Sequence, residues 1–158
     1  MKALITGATG FIGSNVAREL LHQGFEVRAL VRPGCDTRNI KGLDIELSQG
    51  DLRDRPSLER AAQGCQVLFH VAADYSFWVP DVKAMYQTNV DGTRSILEVA
   101  LRAGMSRAVY TSTVATVGLL KDGRPGTEEL EPRPKDLVGY YALSSLQALF
   151  PAHGAGPL

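Results

Sequence analysis

The feature that most restricts the fold of this chain is a glycine-rich segment, TGATGFIG, at residues 6–13. It follows a short apolar run, KALIT, and leads into residues 11–23, where Ile12, Val16 and Leu20 recur at the spacing of an amphipathic helix. This order predicts a buried strand, a tight turn and a helix in direct succession. A glycine triplet alone is a weak signal, but this setting gives it a specific structural meaning.

Short apolar runs and helical patterns alternate along the rest of the chain. Four more strands are predicted at residues 25–32, 44–51, 66–73 and 107–113, and three more helices at residues 56–64, 81–103 and 140–150. Strands joined through helices predict a doubly wound parallel α/β sheet with helices on both faces. Residues 1–150 are expected to form one domain, and Pro151 is expected to end the last helix and begin an irregular tail, residues 151–158.

Charge and composition argue against several classes of partner. Lys and Arg together number 17, as do Asp and Glu, so no basic surface for nucleic acid or an anionic membrane is expected. No run approaches the ~20 apolar residues that span a bilayer, and the first residues are too short an apolar core for a signal peptide. Cys35 and Cys65 stand apart without metal-ligand spacing, which is typical of reduced structural thiols. We therefore expect a cytoplasmic protein without a metal site.

The three glycines of the first turn each suit a different demand of dinucleotide binding. Gly7 permits the tight turn, Gly10 lets a pyrophosphate approach the backbone, and Gly13 allows the helix to pack closely on the strand. The helix that follows offers unpaired N–H groups and the positive end of its dipole to phosphate oxygens. The segment therefore predicts nucleotide binding, against the alternative of a purely structural turn.

The ends of the second and third strands bear on the choice of cofactor. Arg32 stands where an acid would favour NAD by binding the ribose 2′-hydroxyl, and the next acid is Asp36. A guanidinium suits a 2′-phosphate, so NADP is preferred, with NAD or a merely solvated arginine as the alternatives. After the third strand, Asp51 could accept from an adenine amino group while Leu52 covers the ring. A simple turn acid is the competing interpretation of Asp51.

Small and hydroxylated residues end the fourth and fifth strands. Ala72 and Ala73 would let a cofactor lie against the backbone, whereas His70 is expected to be a hydrogen-bonded core residue. The fifth strand ends in YTST, which places the hydroxyl groups of residues 111–113 at the ligand edge of the sheet. Such hydroxyls can bind a substrate carbonyl or alcohol, but they are also common at strand ends, so the strand alone does not decide their role.

Five motifs in order resemble the extended short-chain dehydrogenase/reductase family of NAD-dependent epimerase/dehydratase type: TGATGFIG, GDL, VLFHVAADYSFW, TNVDGT and VYTSTVATVG. The chain is most similar to dihydroflavonol-reductase-like members and hopanoid-associated sugar epimerases, from residue 1 to about residue 141. The resemblance implies a Rossmann-type dinucleotide-binding domain followed by a smaller substrate domain. Members oxidise, reduce, epimerise or dehydrate sugars, flavonoids and steroids with NAD or NADP. Many dimerise, which implies a homodimer as a further expectation.

The resemblance also assigns roles to individual residues. The implied cofactor-binding set is Gly7, Gly10, Phe11, Ile12, Gly13, Arg32, Asp51, Leu52, Ala72, Ala73 and Asn89, of which Asn89 supports the site from the long helix. Thr113 matches the residue that polarises the substrate oxygen, and Tyr141 matches the general acid/base tyrosine. Tyr140 is the alternative, but the family pattern Tyr-x-x-Ser-Lys fits the chain when it begins at Tyr141.

The last position of that pattern departs from the family. A lysine is expected four residues after the tyrosine, where its charge holds the nicotinamide ribose and lowers the pKa of the phenol. Ser145 stands there and carries no charge. Beyond it, the family would continue into a sixth strand and the substrate domain, whereas the sequence FPAHGAGPL shows neither pattern. A sheet that ends after its fifth strand and the following helix is therefore expected.

Three interpretations follow from these two departures. The chain is an active oxidoreductase or epimerase in which Ser145 weakly replaces lysine, or it is a fragment or disrupted form of such an enzyme, or it is a non-catalytic NADP(H)-binding module. The second is preferred, because one event would account for both the missing lysine and the missing substrate domain.

Overall fold

One parallel sheet of five strands organises the part of the chain that the structure describes. The computed structural model describes residues 1–76, 78–118, 120, 124–127, 129, 130 and 132–154, with the backbone alone for 150–154. The strands are β1 (Lys2–Thr6), β2 (Glu26–Val31), β3 (Glu46–Gln49), β4 (Val67–His70) and β5 (Arg107–Tyr110). Their order is β3-β2-β1-β4-β5, and every neighbouring pair is parallel. The strand order thus reverses direction between β1 and β4.

Helices connect the strands as the sequence predicts. They are α1 (Phe11–His22), α2 (Arg55–Ala62), α3 (Val82–Tyr86), α4 (Gly92–Arg102) and α5 (Tyr140–Gly154). A π-helical turn, Gln87–Asp91, joins α3 to α4 without a break, so the predicted single helix over 81–103 contains a π turn. Short 3₁₀ turns lie at Arg38–Ile40, Val114–Thr116 and Pro134–Asp136. Single π turns are often found at functional sites.

The apolar core is divided between the two faces of the sheet. Leu4 and Leu68 belong to a cluster with residues of α2 and α4, whereas Ile5 and Val27 belong to a second cluster with residues of α1. The division follows from strand geometry, because successive side chains point to opposite faces. The predicted doubly wound, Rossmann-type fold is confirmed.

Every strand after β1 is shorter at its carboxyl end than predicted. β1 ends at Thr6, and Gly7 turns the chain away with a φ of +74°. β4 therefore loses its partner soon after His70, and β5 in turn loses β4 after Tyr110. The predicted strands at 66–73 and 107–113 include residues that leave the sheet for this reason and form loops at its carboxyl edge.

The last helix is longer than predicted, since α5 continues to Gly154 instead of ending before Pro151. A proline removes one backbone donor and crowds the preceding turn. Both effects fall on the carbonyl of Gln147, one turn before Pro151, so they weaken the end of the helix without preventing the next residues from continuing it. The expectation of an irregular tail from residue 151 is therefore wrong for residues 151–154, and residues 155–158 lie outside the described part of the chain.

None of the helices in the described ranges combines the length and the apolar character needed to cross a bilayer.

The close approach of α1 to β1 depends on Gly13. A Cβ atom added at Gly13 would overlap the carbonyl group of Gly7, and it would also meet Ala8 Cα at 3.0 Å. These neighbours are backbone atoms that cannot rotate away. Gly10 differs, because a Cβ there would meet only Gly7 O, at 3.4 Å, which is ordinary van der Waals contact.

His70 is a fully buried polar residue within β4, as predicted. Its Nδ1 lies 2.7 Å from Thr6 Oγ1 on β1, and its Nε2 lies 2.9 Å from Thr93 Oγ1 on α4. The Tyr110 ring stacks on the imidazole at a centroid distance of 5.3 Å. Burial lowers the pKa of His70 from 6.5 to about 4, so the ring is neutral near neutral pH.

Gly13→Ala is expected to lower the free energy of unfolding by about 1 to 3 kcal/mol, because the added methyl group has to displace the backbone of the first turn. Urea denaturation followed by circular dichroism measures the change. Gly10→Ala is the matched control, since its φ of −80° is compatible with alanine and its new contact is ordinary. The control should change stability by less than about 0.5 kcal/mol. Equal losses in the two variants would contradict this account of Gly13.

The free energy of unfolding is expected to rise with pH between the two pKa values of His70. The unfolded chain binds a proton at His70 below about pH 6.5, whereas the folded protein remains neutral there until about pH 4. The stabilisation is therefore complete above the unfolded pKa and is lost as the pH falls towards the folded one. The gap between the two pKa values corresponds to about 3 kcal/mol.

Urea denaturation between about pH 5 and pH 7 isolates this effect, because carboxylates titrate mainly below that range. His70→Gln has no titrating ring and should lose the slope. A variant that keeps the slope of the unchanged protein would show that another group is responsible.

Candidate functional site

The candidate site lies at the carboxyl edge of the sheet, between β1 and β4. At this point the strand order reverses, and in open parallel sheets ligands bind in such a crevice. The turn after β1 touches the segment after β4, because a Cβ on Gly7 would meet Ala72 N at 2.7 Å. Ala72 is half-buried and Ala73 is exposed. The predicted contact residues of the first turn and of β4 are thus adjacent.

The amino end of α1 presents backbone donors to this crevice. Gly10 is the N-cap residue and supplies no side-chain cap, while its carbonyl already accepts from Ser14 N. The first N–H groups of a helix have no partner within it. At the same end the side chain of Phe11 is 83% exposed and that of Ile12 is 55% exposed. Unpaired donors and the helix dipole together make this a favourable place for an anion.

The arginine after β2 is exposed, and the nearest acid is already engaged. Arg32 directly follows the strand. Asp36 accepts hydrogen bonds from the backbone and the guanidinium of Arg38, at 2.9 and 2.7 Å, and these bonds lower its pKa. Asp36 therefore has less capacity to accept from a ribose hydroxyl than its position in the sequence suggests.

The acid after β3 is engaged in the same way. Arg53 binds both carboxylate oxygens of Asp51, at 2.9 and 3.0 Å. These hydrogen bonds lower the pKa of Asp51, and the nearby charge of Arg32 adds to the effect. Leu52 is 6% exposed and packs in the core cluster of α2 and α4. The roles of Asp51 and Leu52 at an adenine ring stay predictions.

Asn89, in the π turn, connects the loop after β4 to helix α5. Its Oδ1 accepts from Asp74 N at 2.7 Å, and its Nδ2 donates to Asp74 O at 2.8 Å and to Ser144 Oγ at 3.0 Å. The amide thereby uses both of its hydrogens within the protein. This geometry makes Asn89 a residue that positions its neighbours, whereas direct contact with a cofactor stays a prediction.

Helix α5 carries the predicted catalytic tyrosine near its start. Tyr141 is half-buried, whereas the alternative, Tyr140, is 50% exposed. Ser144 Oγ donates to Tyr141 O at 3.0 Å while it accepts from Asn89. Ser145, at the position of the family's lysine, is buried with 6% exposure. The backbone of the tyrosine is therefore held from the π turn through Ser144.

Thr113 lies at the N-cap of the 3₁₀ turn Val114–Thr116, which packs against α5. Its Oγ1 accepts from Ala115 N at 3.3 Å. A cavity of about 550 Å³ lies next to both candidate catalytic residues. Its lining includes Val114, which follows Thr113, and Ala142, which follows Tyr141. Its walls are mainly apolar, and Arg133 and Asp136 add charge on one side.

Two residues of this arrangement had no assigned role in the sequence. Asp74 offers its backbone to Asn89, and Ser144 links Asn89 to Tyr141. The signal for Ser144 was the Tyr-x-x-Ser spacing, which puts a hydroxyl one turn after the tyrosine. Backbone contacts such as those of Asp74 do not depend on residue type, so the sequence carries no signal for them.

Residues 3–149 match the NAD dependent epimerase/dehydratase family. The chain belongs to this family. A putative dihydroflavonol 4-reductase of Synechocystis is 47% identical over 144 residues, which are 91% of this chain and 42% of that protein. The sterol demethylase protein B of Methylococcus capsulatus is 42% identical over 123 residues, which are 78% of this chain and 38% of that protein.

A solved structure shares the fold of this family member. The UDP-glucose 4-epimerase of Thermus thermophilus, in complex with NAD, superposes with a TM-score of 0.86 at 30% identity. The superposition covers 99% of this chain and 51% of the epimerase. The chain thus spans about two fifths of the length of the curated relatives and about half of the epimerase.

Asn89→Asp is expected to lower the free energy of unfolding by about 2 to 4 kcal/mol, because a buried carboxylate cannot donate to Asp74 O or Ser144 Oγ. Chemical denaturation near neutral pH measures the loss. Asn15→Asp is the matched control: Asn15 is exposed and its amide also donates to a backbone carbonyl, that of Phe11. The control should change stability by less than about 0.5 kcal/mol. Similar losses in both variants would contradict the positioning role.

Proposed function

We propose that this chain is the NAD(P)-binding part of an oxidoreductase or epimerase that acts on a hydroxyl or carbonyl group of a sugar-, flavonoid- or steroid-like molecule. The observation that carries the proposal is the uncapped amino end of α1 at the point where the strand order reverses. A pyrophosphate fits there, because Gly10 has no side chain and the first backbone donors of the helix are unpaired. The NAD-bound epimerase with the same fold supports this choice of ligand.

NADP is the preferred dinucleotide. Arg32 is exposed after β2, and the two acids nearest to it in the proposed site are bound to other arginines: Asp36 to Arg38 and Asp51 to Arg53. A guanidinium free to turn towards the ligand suits a 2′-phosphate, whereas acids already engaged by arginine are poor acceptors for a 2′-hydroxyl. The local charge therefore favours the phosphorylated cofactor.

Thr113 and Tyr141 are the proposed catalytic residues. The Thr113 hydroxyl accepts from Ala115 N, so its own hydrogen is available to a substrate oxygen. The Tyr141 hydroxyl would give a proton to that oxygen or take one from it. A bound nicotinamide would supply or accept the hydride. The largely apolar cavity beside Val114 and Ala142 would receive the substrate and exclude water from it.

Ser145 makes this set weak as it stands. A serine cannot supply the positive charge that would stabilise a phenolate at Tyr141 and hold the nicotinamide ribose. Its burial also keeps solvent cations from taking the place of that charge. The second candidate function, a non-catalytic NADP(H)-binding sensor or partner-binding module, is favoured by this same residue, since the proposed pyrophosphate site at the amino end of α1 does not involve the lysine position.

Arg32→Glu is expected to raise the dissociation constant of NADPH by about 10- to 100-fold, because the variant loses a charge-assisted bond to the 2′-phosphate. The dissociation constant of NADH should stay within about threefold or fall. Titration followed by nicotinamide fluorescence measures both. Arg107→Glu is the matched control, since Arg107 is an exposed arginine at the start of β5, at the opposite edge of the sheet.

Three outcomes would decide the proposal. If neither NADPH nor NADH gives a saturable signal with the unchanged protein, the proposed function is wrong. If Arg32→Glu weakens both cofactors equally, the preference for NADP is wrong. If both cofactors bind as expected but secondary alcohols with NADP⁺ never produce nicotinamide absorbance, the binding module is the better description.

A further inference from the structure

We propose that His70 is a positioning residue for the cofactor crevice, which acts through one fixed tautomer to hold the segment after β4 against the end of β1. His70 lies beneath the crevice and is fully buried. It contacts three elements around the crevice through Thr6, Thr93 and Tyr110. This inference rests on the proposed function, because the effect on NADPH requires the dinucleotide to bind in the crevice.

The hydrogen bonds of Thr6 fix the direction of the network. Thr6 Oγ1 accepts from Ala72 N at 3.2 Å and lies 2.7 Å from His70 Nδ1. A hydroxyl has one hydrogen to donate, and among the described residues the Thr6 side chain has no other hydrogen-bond partner. The Thr6 hydroxyl therefore donates to Nδ1, and Nδ1 is the acceptor nitrogen of the ring.

The tautomer follows from that direction. A neutral imidazole with an accepting Nδ1 carries its hydrogen on Nε2. Nε2 then donates to Thr93 Oγ1 at 2.9 Å, which ties β4 to α4. The order of donation is Ala72 N to Thr6, Thr6 to His70, and His70 to Thr93. Thr93 has a second side-chain partner in Tyr110, to which its own hydrogen can go, whereas the Thr6 hydroxyl has only His70 Nδ1 to donate to among the described residues.

The series ends on the backbone that lines the crevice. Ala72 N is the atom nearest to a Cβ added at Gly7, at 2.7 Å, so the Thr6–Ala72 bond acts where the two segments touch. Thr6 and His70 are also register partners in the sheet. Loss of the acceptor at Nδ1 would free the Thr6 hydroxyl to turn away, and Ala72 N would lose its partner. The distance between the turn after β1 and the segment after β4, where the dinucleotide is proposed to bind, would then no longer be fixed.

Two variants that both carry a carboxamide test the bond to Thr6 and the bond to Thr93 separately. In His70→Asn the side-chain oxygen takes the place of Nδ1 and keeps an acceptor for Thr6, while the bond to Thr93 is lost. In His70→Gln the side-chain nitrogen takes the place of Nε2 and keeps the donor to Thr93, while the acceptor for Thr6 is lost. Both variants lose the stacking on Tyr110, so both should be less stable than the unchanged protein.

Fluorescence titration with NADPH should distinguish them. We expect the dissociation constant to stay within about threefold for His70→Asn and to rise about tenfold for His70→Gln. Amide hydrogen exchange at Ala72 should be about tenfold faster in His70→Gln and little changed in His70→Asn. If the two variants weaken NADPH binding equally, or if neither does, His70 only stabilises the fold and the proposal is wrong.

The tautomer itself is tested without any cofactor. Nitrogen-15 NMR of the unchanged protein near neutral pH should show an unprotonated Nδ1 and a protonated Nε2 at His70. The opposite tautomer, or rapid exchange between the two, would overturn the proposal. If the unchanged protein binds no dinucleotide, the proposed function fails, and the tautomer and the exchange rate at Ala72 still decide the role of His70.

A second pair covers the case in which neither His70 variant folds. Thr6→Ser keeps the hydroxyl, whereas Thr6→Val keeps the shape and removes it. Thr6→Val should weaken NADPH binding about tenfold and speed exchange at Ala72, and Thr6→Ser should do neither. Equal behaviour of these two variants would also contradict the proposal.

Discussion

The fold depends on the contact between the backbone of the first turn and the segments around it. Gly7 lies against Ala72, in the segment after β4, and Gly13, at the start of α1, lies against Gly7. No side chain separates these segments, so β1, α1 and β4 converge within van der Waals distance. The crevice at the reversal of strand order is therefore lined by backbone, and its donors are the free N–H groups of the helix.

The buried polar side chains around this crevice form hydrogen bonds with other groups of the protein. Thr6, His70 and Thr93 bond to one another beneath the crevice, and Asn89 uses its amide on Asp74 and Ser144 beside it. An unmade hydrogen bond in such a place would cost about 1 to 3 kcal/mol. The network below fixes the strand ends, and the link through Asn89 fixes the helix of Tyr141. The unpaired donors are thus left at the surface, where a ligand can reach them.

The residues of this chain support a cofactor-binding site more fully than they support a catalytic one. The crevice, the uncapped α1 and the exposed Arg32 are present together, and the acids near Arg32 are held by other arginines. At the proposed catalytic position, the residues that follow Thr113 and Tyr141 line a common cavity, but Ser145 supplies no charge. The proposed cofactor site is therefore more complete than the proposed catalytic site.

The sequence by itself determined the fold class and predicted where a ligand would bind, because glycine spacing and apolar periodicity depend only on local geometry. It also predicted the burial of His70 and the lack of a charge at Ser145. Only the tertiary structure decided what the polar side chains contact. It decided that Asp36 and Asp51 bind arginines and that Leu52 lies in the core. It also decided that Asn89 links the loop after β4 to α5. The sequence does not predict these contacts, because several neighbouring residues could have served equally well as partners. The length of α5 beyond Pro151 was likewise decided in the structure, because one proline removes a single hydrogen bond and weakens a helix without ending it.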